Sequence, residues 1–452
     1  MRREMFLFTA ALSFVAGNLA ATGTAYPHIT ALACTLSSIA VMALGLRFPG
    51  LRILLFPLLG ATGASTYTAM LPGAESSSLT ESRLLDISGI ITDGGLSSSG
   101  RPFLEISVGN ENTIIYNIPQ NTVWMPGDSV KASVRCSEVE NFTEDFDYRS
   151  YMAKQGIFYT CFYGHGSSMT VTACGRPPVK LIPARMRKRF SAAVDSAIQG
   201  DDKVQVRAVV KALAYGYQDE IAPEIEESFR ESGAIHLLAL SGMHLGLFYG
   251  VLRRLLCIIG NSRTARRIRS VIITLALWAF TIFTGCGVSI LRAAVMFSIY
   301  EAGVIAGRQR NGINALALSA IIITTLDSSA PSGVSFQLSY AAMTAIFLIF
   351  PHLRDLVPVR GKILRSIRDV CAMTIACQTT TAPVILLHFG TFAFYSLIAN
   401  LLCSPLVSVA MFLIPAVLAA PDTGGILTDA PERILTETIE LFICINATIS
   451  NL

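Results

Sequence analysis

The chain has 452 residues, of which 52% are hydrophobic and 15% charged, with 35 basic and 31 acidic side chains. Soluble globular proteins carry about 25% charged residues, so an ordinary aqueous enzyme is excluded. Disorder is excluded too, because it needs low hydrophobicity and high net charge.

A helix needs about 20 predominantly apolar residues to cross a bilayer. Such stretches lie at 5–22, 29–46 and 53–71, then after a gap at 235–259, 270–286, 288–306, 312–327, 334–351, 370–389, 392–419 and 434–451. The expected fold class is a polytopic α-helical membrane protein of about eleven hydrophobic segments, interrupted by a small extracytoplasmic β-barrel. Four parts follow: N-terminal transmembrane segments (1–79), the barrel (80–182), an amphipathic helical connector (183–233) and a polytopic domain (234–452). Arg2 and Arg3 precede the first segment, and Arg47 and Arg52 follow the second. Arg253, Arg254, Arg263, Arg266, Arg267 and Arg269, then Arg308 and Arg310, then Arg354, Arg360, Lys362, Arg365 and Arg368, continue the alternation. Basic residues crowd cytoplasmic loops, which places the N-terminus inside and the 80–182 insert outside. Arg2 and Arg3 before an apolar run also resemble a signal peptide, but two more apolar segments follow at once, which favours an anchor.

The insert carries eight basic and eleven acidic side chains. Alternating, β-branched stretches at 83–92, 101–108, 113–118, 128–136 and 157–163 predict strands. Gly94-Gly95, Gly109-Asn110 and Pro126-Gly127-Asp128 read as turns, and 145–155 as one short helix. Strands with a single helix before the last suggest a closed barrel of the oligonucleotide-binding (OB) type. Phe103, Tyr116, Trp124, Tyr151, Phe158, Tyr159, Phe162 and Tyr163 either stack bases or fill the core, and for each one the core is the stronger expectation. Tyr116, Trp124, Lys131 and Arg135 are the candidate DNA contacts, although the acidic balance argues against strong intrinsic affinity. Cys136, Cys161 and Cys174 allow at most one internal bridge, and Cys136–Cys161 is the favoured pair if the insert meets an oxidising compartment. The other seven cysteines lie in hydrophobic stretches and read as small buried apolar residues.

In the connector, Arg185-Met186-Arg187-Lys188-Arg189 adjoins Phe190, Val194 and Ile198 at spacing four. This predicts a basic amphipathic helix on the membrane surface, with a DNA-phosphate site as the second reading. Asp219–Glu231 reads as a solvated, partly helical face.

Three groups of polar residues enter the apolar region. His236, Ser241 and His244 open the first segment after the connector. Gly242, Gly246 and Gly250 recur every four residues there, a pattern for close helix packing. Arg292 lies inside the 288–306 segment, where a charge is costly and faces the bundle interior or a wet cavity. Glu301 is nine residues on, half a turn round the helix, so the two do not pair directly. The third group is Gln337 and Ser339, Gln378 with Pro383 and His388, and Asn400 before Pro405. The prolines suggest broken helices that line a cavity. His236, Ser241, His244, Arg292, Gln337, Ser339, Gln378 and Asn400 are the candidate path-lining residues. No catalytic residue, metal ligand or cofactor is expected, and no GxxxxGK[ST] phosphate loop is present.

HLLALSGMHLGL, TGCGVSILRAAVMF, GRQRNGINALALSA, SFQLSYAA and LLHFGTFAFYSLIANLLCSPLVS occur in this order. They resemble the signatures of the ComEC competence-protein family, as does the arrangement of N-terminal segments, external barrel and polytopic domain. The resemblance implies a channel in the bacterial inner membrane that passes one DNA strand to the cytoplasm during natural transformation. It also implies partners: single-stranded DNA, a DNA receptor, a cytoplasmic helicase or ATPase, the lipid bilayer, and a second copy in a homo-oligomer. Many members continue into a metallo-β-lactamase-like domain with a His-x-His-x-Asp-His metal cluster. The six histidines here (28, 165, 236, 244, 352 and 388) do not form that pattern. A nuclease is therefore expected on a separate protein or on a longer chain. Two other readings compete. An intramembrane serine protease would pair Ser241 with His388. A transporter for a small anion or lipid would use the insert as a sensor.

Overall fold

The computed structural model describes residues 11–16 and 18 and, apart from short gaps, residues 84–451. The predicted spans 29–46 and 53–71, most of 5–22, and Arg2, Arg3, Arg47, Arg52, Arg308 and Arg310 lie outside the described residues. Of the predicted helix 145–155, only Tyr148, Arg149 and Met152 are described, and these are helical.

Six strands form the first unit: β1 (Leu84–Leu96), β2 (Pro102–Val108), β3 (Glu111–Tyr116), β4 (Ser129–Glu138), β5 (Ile157–Phe162) and β6 (Ser168–Thr172). The order β1-β2-β3-β5-β4 closes on itself because β1 also pairs with β4. Closure removes the exposed sheet edges that would otherwise invite pairing with other chains. The β3/β5 pair is parallel and the other pairs are antiparallel. Period-two alternation sends Ile91, Leu104, Ile106, Ile115, Val130, Val134 and Cys161 into the interior. Two expectations change. Gly94-Gly95 is not a turn but lies within β1 beside a register shift. A Cβ on Gly94 would stand 2.7 Å from the Phe103 carbonyl oxygen and 2.9 Å from the Trp124 ring, so glycine serves close approach here. The strand β6, short and half exposed, gave no sequence signal above its loop surroundings.

The connector comprises α1 (Ile182–Ala197), α2 (Val204–Tyr215) and α3 (Pro223–Glu231). The apolar side of α1 packs on protein rather than lying on lipid. Val194 and Ile198 are buried with α2, and Phe190 sits edge-on to Tyr215 and Phe283 at 5.7 Å. Three of the four basic residues in its run make local contacts, while Arg189 is exposed. Arg185 Nη1 donates to the Cys174 carbonyl at 3.2 Å, and Arg187 Nη1 to the Phe283 carbonyl at 3.1 Å. The Lys188 ammonium sits 3.9 Å above the Trp124 ring. On α2, Lys211 is buried and held by Asp195 at 2.8 Å and Glu220 at 2.6 Å. The acidic face of α3 is solvated as expected, but its Phe229 is fully buried against Phe442.

The helical bundle contains α4 (Ile235–Leu238), α5 (Gly242–Leu255), α6 (Arg263–Phe283), α7 (Val288–Ile305), α8 (Gly312–Leu326) and α9 (Val334–Leu348). It continues with α10 (Phe350–Leu356), α11 (Lys362–Phe389), α12 (Ser396–Ala419) and α13 (Ile426–Ser450). Side-chain caps fix several starts: Ser262 accepts from the Ala265 amide and Asn311 from the Asn314 amide. Four helices among the described residues are long and apolar enough to cross a membrane, beginning at Gly242, Val288, Lys362 and Ser396. A fifth span counts if α9 and α10, bent by 43° at the break between Leu348 and Phe350, form one. The predicted 235–259 segment is two helices, because the chain turns extended at Ala239. The predicted breaks at Pro383 and Pro405 do not occur, and both prolines sit inside continuous helices. Hydroxyls of Thr379, Thr380 and Thr381 bond carbonyls of the preceding turn, the compensation that lets apolar helices carry proline.

Cys136 and Cys161 face each other in the β4/β5 register, Cα atoms 4.0 Å apart, and are joined by a disulfide. Mass mapping under non-reducing conditions is expected to find this pair linked and Cys174 free. With a sequence separation of 25, replacing Cys136 by Ser is expected to lower barrel stability by about 3 kcal/mol. Three free thiols in the oxidised protein would contradict the assignment.

Candidate functional site: polar groups inside the apolar bundle

The entry to α5 is built by its own residues. Ser241 caps the helix, and its hydroxyl accepts from the Met243 amide at 3.3 Å. The Ser241 amide donates to His244 Nδ1 at 3.1 Å, completing a reciprocal capping box. Because Nδ1 accepts, the proton of the neutral ring resides on Nε2. His244 is fully buried, and its Nε2 has no hydrogen-bond partner among the described residues. His236 lies on the separate helix α4, where its Nδ1 is 3.0 Å from the Gly233 carbonyl. Thus Ser241 has an imidazole beside it, but as a helix cap. His388, the partner a protease would need, instead contacts Gln337 Oε1 at 3.1 Å. The glycine stripe is partial. Gly242 faces Ala293 and Arg292, Gly246 faces Phe297, and Gly250 meets nothing within 4 Å.

Arg292 stands on the α7 face turned toward α5 and α9. It is 5% exposed, and its Nε and Nη1 have no hydrogen-bond partner among the described residues. Its guanidinium lies 5.5 Å from the centre of the Tyr340 ring, whose hydroxyl is 3.0 Å from Ser319 Oγ. Glu301 turns away from it, as half a helical turn requires. Glu301 is buried and accepts from Tyr249 at 2.6 Å and from Ser270 at 2.5 Å. Tyr340, Tyr249 and Ser270 escaped the sequence reading because a single hydroxyl in an apolar run gives no pattern until its partner helix is known.

A second group joins α9, α11 and α12. Gln337 Nε2 donates to the Pro331 carbonyl at 3.2 Å while its Oε1 meets His388. Gln378 donates to the Ser396 hydroxyl. Asn400 Nδ2 contacts Thr374 Oγ1 at 3.5 Å, and its Oδ1 is buried without a partner among the described residues. Ser339 approaches Ser289 of α7 at 3.5 Å, which links the two groups. The candidate residues therefore assemble as two neighbouring sets: His236, Ser241, His244 and Arg292 around the start of α5, and Gln337, Gln378 and Asn400 beyond α9.

On the barrel, one register row crosses four strands: Phe103, Tyr116, Phe162 and Arg135. The neighbouring row Leu104, Ile115, Cys161 and Cys136 turns inward, its first three residues fully buried, so this one lies on the other face, where Phe103 and Tyr116 are partly covered by the Ile114, Val139, Met152 and Ile157 cluster. The Tyr116 and Phe162 rings stack at 5.5 Å, and Phe103 lies 6.2 Å from Tyr116. Burial pushes the Tyr116 hydroxyl up to about 12. Lys131 is exposed opposite Ser88, two turns of the pleat from Arg135. Trp124 belongs elsewhere, because Lys188 covers one face of its indole. Burial at that contact lowers the Lys188 pKa.

Fold and site together define a membrane protein: an apolar helical bundle with internal polar contacts, joined to a small five-stranded barrel. Residues 213–434 match the family model described as "Competence protein". The chain is 26% identical over 264 residues to ComE operon protein 3 of Bacillus subtilis (strain 168), covering 58% of this chain and 31% of that protein. It is also 26% identical over 244 residues to the uncharacterized protein YcaI of Escherichia coli (strain K12), covering 52% and 31%. The 213–434 region is thus similar to the competence-protein family, and the two relatives match the chain at the same level. It spans about a third of the length of the curated relatives it matches. No solved structure matches it.

The glycine contacts separate two substitutions. Gly246→Leu drives a side chain into Phe297 and is expected to cut the amount of protein in the membrane several-fold, the effect of overpacking by about 1–3 kcal/mol. Gly250→Leu, with open space around it, is expected to leave that amount near wild type. Quantitative immunoblotting of membrane fractions reads both, and equal losses would show that the stripe acts as a unit.

Proposed function

We propose that this protein passes single-stranded DNA across the bacterial inner membrane during natural transformation. The observation that carries the reading is the set of polar side-chain contacts, most of them part-buried, between α7, α9, α11 and α12, within the region that matches the Competence family. Polar side chains at membrane depth are costly and mark ion or substrate pathways. A strand of phosphates needs such a lining to cross a low-dielectric slab.

The barrel supports the same reading. Its closed order with one parallel pair fits an OB fold, and its outward row of three aromatics ends in Arg135. Stacking on aromatic rings tolerates any base, which suits uptake of DNA without sequence preference. The alternation of Arg and Lys in the sequence supports a barrel on the outside and an N-terminus in the cytoplasm. The channel is not itself an enzyme in this reading. The driving force and the degradation of the other strand fall to partner proteins: a DNA receptor, a helicase or ATPase, and a nuclease.

Two measurements test this. Impermeant thiol reagents added from outside should label single-cysteine variants in the barrel, and should label the 352–368 loop only after permeabilisation. Radiolabelled DNA uptake should be lost in a deletion strain and restored by the plasmid-borne gene. Unimpaired uptake in the deletion strain would contradict the proposed function.

A further inference from the structure

We infer that Arg292 and the N-terminal end of α5 form a binding site for one phosphate group. The inference rests on the proposed function for its DNA ligand, but its geometry is independent of it. A helix N-terminus carries about half a positive charge, and although Ser241 takes up the Met243 and His244 amides of α5, the Gly242 amide and the helix dipole remain for an anion. At α5 that end is Gly242, which has no side chain to shield it. A Cβ built on Gly242 lies 3.5 Å from Arg292 Nη2, so the guanidinium stands directly beside the helix start.

The second observation is the arginine itself. At 5% exposure it keeps Nε and Nη1 without a hydrogen-bond partner among the described residues, and no carboxylate described there pairs with it. The acidic residue on its own helix, Glu301, is occupied by Tyr249 and Ser270. Both unsatisfied atoms are N–H donors. The Tyr340 ring offers the cation a π-face but no acceptor for these hydrogens. Leaving charged donors buried and unpaired costs far more than pairing them. What completes the site must therefore accept hydrogen bonds and carry negative charge. A tetrahedral phosphate does both, and a planar guanidinium can grip it with two parallel bonds.

The phosphate could belong to a DNA strand, to a lipid headgroup or to free phosphate, and the test separates the three. The full chain is placed in nanodiscs of neutral phosphatidylcholine. Binding is measured for a short thymidine oligonucleotide, for the same oligonucleotide with an uncharged methylphosphonate backbone, and for inorganic phosphate. A parallel set of discs contains phosphatidic acid. Arg292→Gln keeps a polar amide donor on a shorter side chain but removes the charge, and Arg292→Lys restores a point charge.

The expected result is a loss of about tenfold in phosphodiester oligonucleotide binding for Arg292→Gln. The slope of log affinity against log salt should fall by about 0.7, the value of one single-strand phosphate contact. Arg292→Lys should recover part of the loss, and methylphosphonate binding should not change. Equal binding and equal salt slope in wild type and Arg292→Gln would overturn the inference. If Arg292→Gln is recovered in too small an amount, wild-type protein decides. Protection of wild type from thermal unfolding by inorganic phosphate, and not by chloride at equal ionic strength, supports the site, and no difference overturns it. Arginine-dependent binding of free phosphate or phosphatidic acid without oligonucleotide binding would keep the site and remove the DNA reading.

Discussion

A polar group inside a lipid-embedded bundle has no water to turn to, and this constraint organises the structure. The bundle answers it pair by pair. Glu301 is satisfied by two hydroxyls from α5 and α6, and Gln378 and Asn400 reach residues on facing helices. Asn446 of α13 accepts from Ser232 at 2.7 Å and donates back to Phe442 at 2.7 Å. Each pair also fixes which helix faces which, since breaking one leaves a buried donor or acceptor unmet at a cost of about 1–3 kcal/mol. The exceptions stand out against this background. Arg292 and His244 hold unmet donors near the start of α5, and Arg185 Nε in the connector and Asn400 Oδ1 in α12 are further unmet atoms among the described residues.

The same economy of charge joins the barrel to the bundle. Arg187 of α1 lies 3.9 Å from Asp93 on β1 and donates to the last carbonyl of α6. Lys188 covers Trp124 of the barrel, while Phe190 of the same helix packs on Phe283. One helix thus touches both units with consecutive residues. The basic run that reads in sequence as a membrane-surface helix is a joint between two proteinaceous parts. Through Phe283 it adjoins the Thr284–Gly287 link before α7, the helix that carries Arg292. That link contains two consecutive left-handed residues, Gly285 and Cys286, with φ of 88° and 58°.

The sequence made some of this legible and hid the rest for physical reasons. Period-two alternation and turn residues located the five barrel strands, because half-buried strands imprint their faces directly. Gly94-Gly95 misled, since a glycine required by a neighbouring ring looks the same in sequence as one required by a turn. Apolar length located the helices from α5 to α12, and the 213–434 family match agrees with the motifs read there. It failed at 235–259, where the cap at Ser241 breaks the helix within a largely apolar run. It also failed at Pro383 and Pro405, because nearby threonine hydroxyls compensate for proline in a way that composition does not display. Arg292 was visible as a charge out of place. Its neighbours Tyr340 and Gly242 were not, because only the packing of α5, α7 and α9 brings them together.

In the proposed function, DNA passes through the interior of this bundle beside Arg292. Site-specific photo-cross-linking during uptake addresses it most directly. A benzophenone amino acid at position 340, facing Arg292, and a second at position 387, where Leu387 is 84% exposed on the outside of α11, give an internal and an external probe. Irradiation of competent cells taking up labelled DNA should yield a protein–DNA adduct at 340 and none at 387. An adduct at 387 alone, or none at 340 while uptake continues, would contradict a path through the bundle.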